Sequence, residues 1–232
     1  MQNVMTTALT ASIGLASSAA YFSPWLWRQY RMDRIRRRVI ENRILVLTYD
    51  DGPSGATTPQ LLDMLHSHGA RASFFMLGRH VEQYPHIVDR VIQEGHDIGC
   101  HSQQHINAWK ALPSTAIADI NAGYERLSPW VSRDAMFRPP HGKMTLPTYL
   151  SLRQRGASVW WWTIDSGDTH SVLPVPAQVV DRVKREGGGI VLMHDLDRTQ
   201  PRNNFVIQTT AALLDLAQSE SLRIAPLSEL CQ

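Results

Sequence analysis

Short apolar runs alternate with longer amphipathic stretches along most of this chain. Apolar runs occupy residues 44–49, 98–100, 135–137, 158–163 and 189–193, with a last one near 222–224. The run at 44–49 lacks the strict polar alternation of a half-exposed strand and reads as a strand buried on both faces of a parallel sheet. Helix-period stretches lie between the runs, near 59–68, 80–94, 114–130, 145–155, 176–185 and 203–219. Strand–helix alternation of this kind predicts an α/β fold, with parallel strands joined by helical crossovers.

Composition changes this picture only at the N-terminus. The 232 residues, with 43% hydrophobic content and 14 Gly, suit one α/β domain with an ample core. The formal charge of +2 conceals a split. Residues 1–43 carry seven Arg against Asp33 and Glu41, a balance of +5, and the remainder is therefore at −3. An acidic remainder gives no support for nucleic-acid binding. Residues 4–27 contain no charged side chain, and 15 of the 24 are apolar, a length able to span a bilayer. Seven Ser/Thr, Gly14 and Pro24 make it a marginal spanning helix. The basic flank follows this segment, which predicts a membrane anchor with the following domain on the cytoplasmic side. The alternative is a soluble cytoplasmic protein whose N-terminal helix packs loosely. Beside the uncharged segment of the anchor reading, Arg34, Arg36, Arg37 and Arg38 are expected to face lipid head groups. Cys100 and Cys231 are too few for a disulfide framework, and Cys100, ending an apolar run, reads as a small core residue.

Chemistry gathers where the apolar runs end. The first run closes on Asp50-Asp51-Gly52-Pro53, and two adjacent carboxylates resist ionising together unless a cation claims one of them. The second leads into His101-Ser102-Gln103-Gln104-His105, whose two histidines, taken as a helical i and i+4 pair, reach one point. Two histidines and a carboxylate leave coordination positions open for water and substrate. The third leads into Arg138-Pro139-Pro140-His141-Gly142, the fourth into Asp165-Ser166-Gly167-Asp168 and the fifth into His194-Asp195. Functional side chains at the C-terminal ends of successive parallel strands mark the active face of a barrel-like enzyme. His66, His68, His80, His86, His96 and His170 read as surface or cap residues.

These motifs, in this order and spacing, resemble the polysaccharide deacetylases, the NodB-type domain of carbohydrate esterase family four. The resemblance covers roughly residues 44–230 and rests on Thr48-Tyr49-Asp50-Asp51-Gly52-Pro53, His101-Ser102-x-x-His105, Arg138-Pro139-Pro140-x-Gly142, Asp165-x-x-Asp168 and Leu192-Met193-His194-Asp195. It implies a distorted seven-stranded (β/α) barrel over residues 44–232. It also implies a divalent metal, most often zinc in that family, bound by Asp51, His101 and His105. Asp50 would be the general base, oriented by Arg138. His194 would be the general acid, held and tuned by Asp168. The His141 backbone N–H would help hold the oxyanion, and Leu192 would line the acetyl pocket. A base and an acid flanking the carbonyl contribute roughly 10²–10⁴-fold each.

Two positions depart from the family pattern. Thr169 stands where a groove-lining tryptophan is usual, and Trp160, Trp161 or Trp162 would have to fill that wall, with Trp162 the candidate for the substrate side. His141 stands where tyrosine is usual, a neutral change if only its backbone acts. The expected reaction is removal of N-acetyl groups from amino sugars of a glycan or glycolipid. Alternatives are O-acetyl ester hydrolysis on a polysaccharide, a non-catalytic glycan-binding module, and a non-haem iron oxygenase with the same ligand types. Asp50, Arg138 and His194 have no evident task with dioxygen, and the survival of every catalytic position disfavours the binding module.

Overall fold

The computed structural model describes residues 2–230, with side chains for Tyr21 and residues 23–230. Helix α1 (Gln2–Glu41) precedes β1 (Ile44–Asp50), α2 (Thr57–Ser67), β2 (Ser73–Met76), α3 (Gly78–Gln83), α4 (Pro85–Gln93) and β3 (Asp97–Cys100). The chain continues through α5 (Pro113–Leu127), α6 (Leu146–Arg155), β4 (Ile164–Asp165), α7 (Pro176–Glu186), β5 (Gly189–His194), α8 (Gln200–Ser219) and β6 (Arg223–Ile224). All pairings are parallel, in the order β3-β2-β1-β5-β4, with β6 joined to the start of β1. Every residue of β1 is buried, as an unbroken apolar run at the centre of a two-face-covered sheet requires.

The expected strands at 135–137 and 158–163 are reduced to single bridging residues. Phe137 bridges Cys100 on one side and Val159 on the other, both in parallel sense. The wall thus runs from β3 through Phe137 and Val159 toward the stretch that ends in β4, as in a distorted (β/α) barrel. Between Val159 and β4 the chain leaves regular pairing, so the tryptophans there escape strict alternation. Trp160 and Trp161 are both buried, and only Trp162 is half-exposed.

Helix limits follow local chemistry. The stretch near 80–94 is two helices, because Pro85 disfavours helical geometry at Tyr84 (φ −130°, ψ 53°) and is itself well placed at the first position of α4. Gly156 and Gly187 end α6 and α7 in the left-handed conformation that a side chain disfavours.

The apolar segment at 4–27 lies mostly on residues whose side chains fall outside the described set. Its backbone continues α1, and among the described residues no helix is long and apolar enough to cross a membrane. The C-terminal half of α1 is part of the folded domain. Met32 and Val39 are buried in the core, Trp27 packs on Tyr149 and Trp161, and Arg36 pairs with Glu186 at 3.2 Å. Cys100 is buried and free, whereas Cys231 lies outside the described residues.

Candidate active site

Parallel topology brings the strand ends together. The register of β1 on β5 sets Asp50 opposite His194, and β1 on β2 sets Asp50 beside Phe75. Asp51 leaves β1 with φ 72°, a sharp turn that aims its carboxylate back across the barrel mouth. His101 Nε2 lies 3.5 Å and His105 Nε2 3.4 Å from Asp51 Oδ1. No hydrogen-bond donor satisfies that buried oxygen. One donor atom from each of Asp51, His101 and His105 falls within 4.8 Å of the others, so the three fit a single divalent cation. His101 Nδ1 donates to Arg138 O at 2.7 Å, which leaves Nε2 with its lone pair toward the common point. Burial pushes the His101 imidazole down to about 3, the neutral state a ligand requires.

The two histidines converge for a reason other than the helical spacing expected of them. Residues 101–107 form an irregular loop, with Ser102 at φ 72° and His105 at φ 62°. Asp119 on α5 holds this loop: its carboxylate accepts from Gln104 N at 2.8 Å and from Ile106 N at 3.3 Å. Ser102 Oγ accepts from His105 N at 3.1 Å. Gly123 lets α5 sit against the loop, since a Cβ there would stand 2.5 Å from the Ser102 carbonyl carbon.

Asp50 and Arg138 form a fully buried pair. Arg138 donates to Asp50 Oδ1 at 2.7 Å and to Thr48 Oγ1 at 2.8 Å, and its guanidinium lies 4.1 Å from the centroid of the Phe75 ring. Burial raises the Asp50 carboxyl, and the charges of Arg138 and His194 pull against it. Arg138 thus occupies Oδ1, while Oδ2 faces the cation site, 3.7 Å from His101 Nε2.

His194 donates from Nδ1 to Asp168 Oδ1 at 2.9 Å, and its backbone N–H donates to Oδ2 at 2.9 Å. Burial opposes charge on the imidazole, but the hydrogen bond and charge of Asp168, with Asp50 and Asp51 behind them, prevail and lift it to about 9. The other histidine at the mouth, His141, has φ 56°, and its ring centroid is 4.4 Å from that of His105. Leu192 is buried one turn of the pleat below His194, and Trp162 lies over Gly142, 2.9 Å from where a Cβ would be. Thr169 is exposed at the rim.

Several supporting residues had no role assigned from the sequence. His80, read as a surface residue, places Nδ1 2.6 Å from Asp51 O. Asp195 is buried beneath Gly52, where a Cβ would meet its carboxylate at 2.2 Å, and accepts from Thr58 Oγ1 at 2.7 Å. Arg198 donates to Asp168 Oδ2 at 3.0 Å, and Arg202 donates to Asp168 O. His96, also read as a surface residue, is buried and accepts from Ala72 N at 3.1 Å, so it belongs to the core.

The polysaccharide deacetylase family model matches residues 38–171. The chain belongs to that family. It is 32% identical over 194 residues to a peptidoglycan-N-acetylglucosamine deacetylase of Bacillus cereus, covering 81% of this chain and 88% of that one. It is also 32% identical over 162 residues to peptidoglycan-N-acetylmuramic acid deacetylase PdaC of Bacillus subtilis, covering 68% of this chain but only 33% of that longer protein. Among solved structures, the Bc1960 peptidoglycan N-acetylglucosamine deacetylase superposes with a TM-score of 0.73 at 25% identity, over 82% of this chain and 88% of that one.

Proposed function

We propose that this polysaccharide deacetylase hydrolyses the N-acetyl group of an amino sugar in a glycan, with peptidoglycan-type N-acetylglucosamine as the leading substrate class. The observation that carries the reading is a cation-fitting Asp51/His101/His105 set flanked by a buried carboxylate and a charged imidazole on neighbouring strands. The named relatives act on N-acetylglucosamine or N-acetylmuramic acid residues of peptidoglycan, which supports the same amide class here.

Asp51, His101 and His105 would hold the cation, with zinc suited to this nitrogen–oxygen donor set; it would polarise the acetyl carbonyl and acidify water. Asp50, fixed through Oδ1 by Arg138, takes the proton of the attacking water on Oδ2. The water oxygen bonds to the acetyl carbon, and the His141 N–H helps hold the oxyanion. His194, charged at neutral pH, then gives its Nε2 proton to the sugar nitrogen as the carbon–nitrogen bond breaks. Acetate and a free amine result. Leu192 and Trp162 border the acetyl side of the mouth. Acetate release from N-acetylated chitooligosaccharides and from peptidoglycan tests the reading, with acetylxylan as the ester control. Release from wild type on the two amide substrates, lost in Asp50→Asn with fold and metal content intact, is expected. Release from acetylxylan alone would refute amide specificity.

A membrane-held glycolipid substrate is a narrower reading with one specific support. Near the N-terminal end of its described side chains, α1 lies against the catalytic rim. Tyr21 meets Trp109 edge-on at 6.0 Å, and the Arg28 guanidinium is 5.4 Å from the Trp162 ring. The uncharged stretch at 4–20 therefore joins the domain beside its active mouth. A cytoplasmic catalytic domain anchored this way would meet lipid-linked sugars. Full-length protein should then pellet with membranes and resist carbonate extraction. Recovery in the soluble fraction would refute the anchor.

A further inference from the structure

One side of the active mouth is positively charged. Burial lowers the His141 imidazole, Asp51 opposes that, and the nearby charges of Lys110 and Lys143 lower it further. Lys143 Nζ lies 4.3 Å from the centroid of Trp109. Helix α1 brings a third cation, Arg28, whose guanidinium is 5.4 Å from the centroid of Trp162 and 5.7 Å from that of Trp161. None of the three side chains joins an ion pair among the described residues. Burial lowers the Arg28 guanidinium, and no carboxylate charge offsets the effect.

Arg28 and Lys143 meet at a narrow notch of about 20 Å³ between α1 and the turn that follows His141. Gly142 lines it too, one residue beyond the His141 N–H that faces the oxyanion, so the notch sits beside the reacting acetamide rather than at it. No side chain lining it carries a carboxylate or a hydroxyl. Trp25 and Trp109, 42% and 39% exposed, stand at its lip. A space of that size admits a group little larger than a water molecule. Two cations at so small an opening suit a compact planar anion, and a guanidinium fork matches the two oxygens of a carboxylate. A phosphodiester, tetrahedral and carrying two arms, is too bulky to enter.

We propose that the notch is a substrate subsite in which Arg28 and Lys143 take the carboxylate of an acidic sugar adjacent to the residue being deacetylated. The ring of that sugar stays outside, against the exposed tryptophan surfaces. This rests on the amino-sugar deacetylase reading and narrows its substrate to a glycan in which neutral and acidic residues adjoin.

The test uses full-length enzyme with added zinc and two tetrasaccharides of alternating N-acetylglucosamine and N-acetylmuramic acid. One keeps its lactyl carboxylates, and in the other they are converted to carboxamides. The acid form is expected to have a kcat/KM about tenfold higher, through KM, with the advantage shrinking as salt is raised. Fragment masses should place the lost acetyl group on N-acetylglucosamine. In Arg28→Gln/Lys143→Gln the ratio of acid to carboxamide should fall to about one, and a ratio taken within one variant cancels general damage to the fold. Lys143→Glu, which should favour the carboxamide, serves if the double variant misfolds. A wild-type ratio near one, a tenfold ratio kept in the variants, or acetyl loss from the muramic residue alone would overturn the proposal. Absence of acetate from both tetrasaccharides and from chitotetraose would refute the deacetylase reading instead. The notch is then read from calorimetric binding of the same pair, where equal affinity overturns it.

Discussion

The strongest quantitative test of the site is Asp168→Asn. Asp168 is fully buried and accepts from both the ring and the backbone of His194, so the substitution keeps the size and removes the charge. His194 is lifted from 6.5 to about 9 against the opposing effect of burial, chiefly by Asp168. That difference corresponds to about 3 kcal/mol favouring the imidazolium. Without the Asp168 charge, burial acts with less opposition and the imidazole falls to its ordinary value or below. At pH 8 a group titrating near 9 is roughly nine-tenths charged and one near 6.5 is about one-thirtieth charged, so loss of the acid form alone predicts about a 30-fold fall in kcat/KM. The fall should shrink toward pH 6, where both enzymes carry a protonated His194. The assay is a pH–rate profile of acetate release, in which the basic limb moves from near 9 to near 6.5. Stability follows the same sign. The folded value lies above the unfolded one, so this contribution is fully present below about pH 6.5 and is lost as pH rises through about 9. Urea midpoints of the wild type should decline across that window, and those of Asp168→Asn should decline less. A basic limb left unmoved in Asp168→Asn would refute the assignment of His194 as the acid.

Three further tests address the rest of the site. His101→Ala and His105→Ala should each purify with little divalent metal by elemental analysis, because two donors hold a cation poorly; full occupancy in both would dismiss the site. Arg138→Met leaves Asp50 buried beside a neutral side chain, so the acidic limb of the rate profile should move upward and stability fall by about 3–5 kcal/mol in denaturant titration. Wild-type stability in that variant would show the pair to be energetically idle. Gly123→Ala drives a Cβ against the Ser102 backbone and should cost about 1–3 kcal/mol while weakening metal retention. Normal metal content would mean that the loop tolerates the intrusion.

Sequence alone determined which chemical groups stand at the strand ends. A buried apolar run can terminate only where polar residues meet solvent, and parallel topology places all such exits on one side, so Asp50, Asp51, His101, Arg138, Asp168 and His194 were legible as a set. The motif order also identified the family and its barrel. Sequence periodicity was less reliable where the chain abandons regular geometry. The run at 158–163 contributes one bridge rather than a strand, and the histidine pair sits on a loop with two left-handed residues rather than on a helix.

Tertiary structure alone decided how those groups are held. Asp119 and Gly123 fix the histidine loop from α5, His80 and Asp195 brace the turn at Asp51 and Gly52, and Arg198 and Arg202 hold Asp168 from α8 and the loop before it. Apart from Asp195, which belongs to a motif but whose partner the sequence does not name, these residues have no periodic or motif signature, because long-range packing selects them one contact at a time. The same holds for α1. Its composition reads as an apolar segment followed by a basic flank, yet its arginines stack on barrel tryptophans. Local pattern specifies what a residue can do, and only the packed fold specifies which neighbour makes it do so.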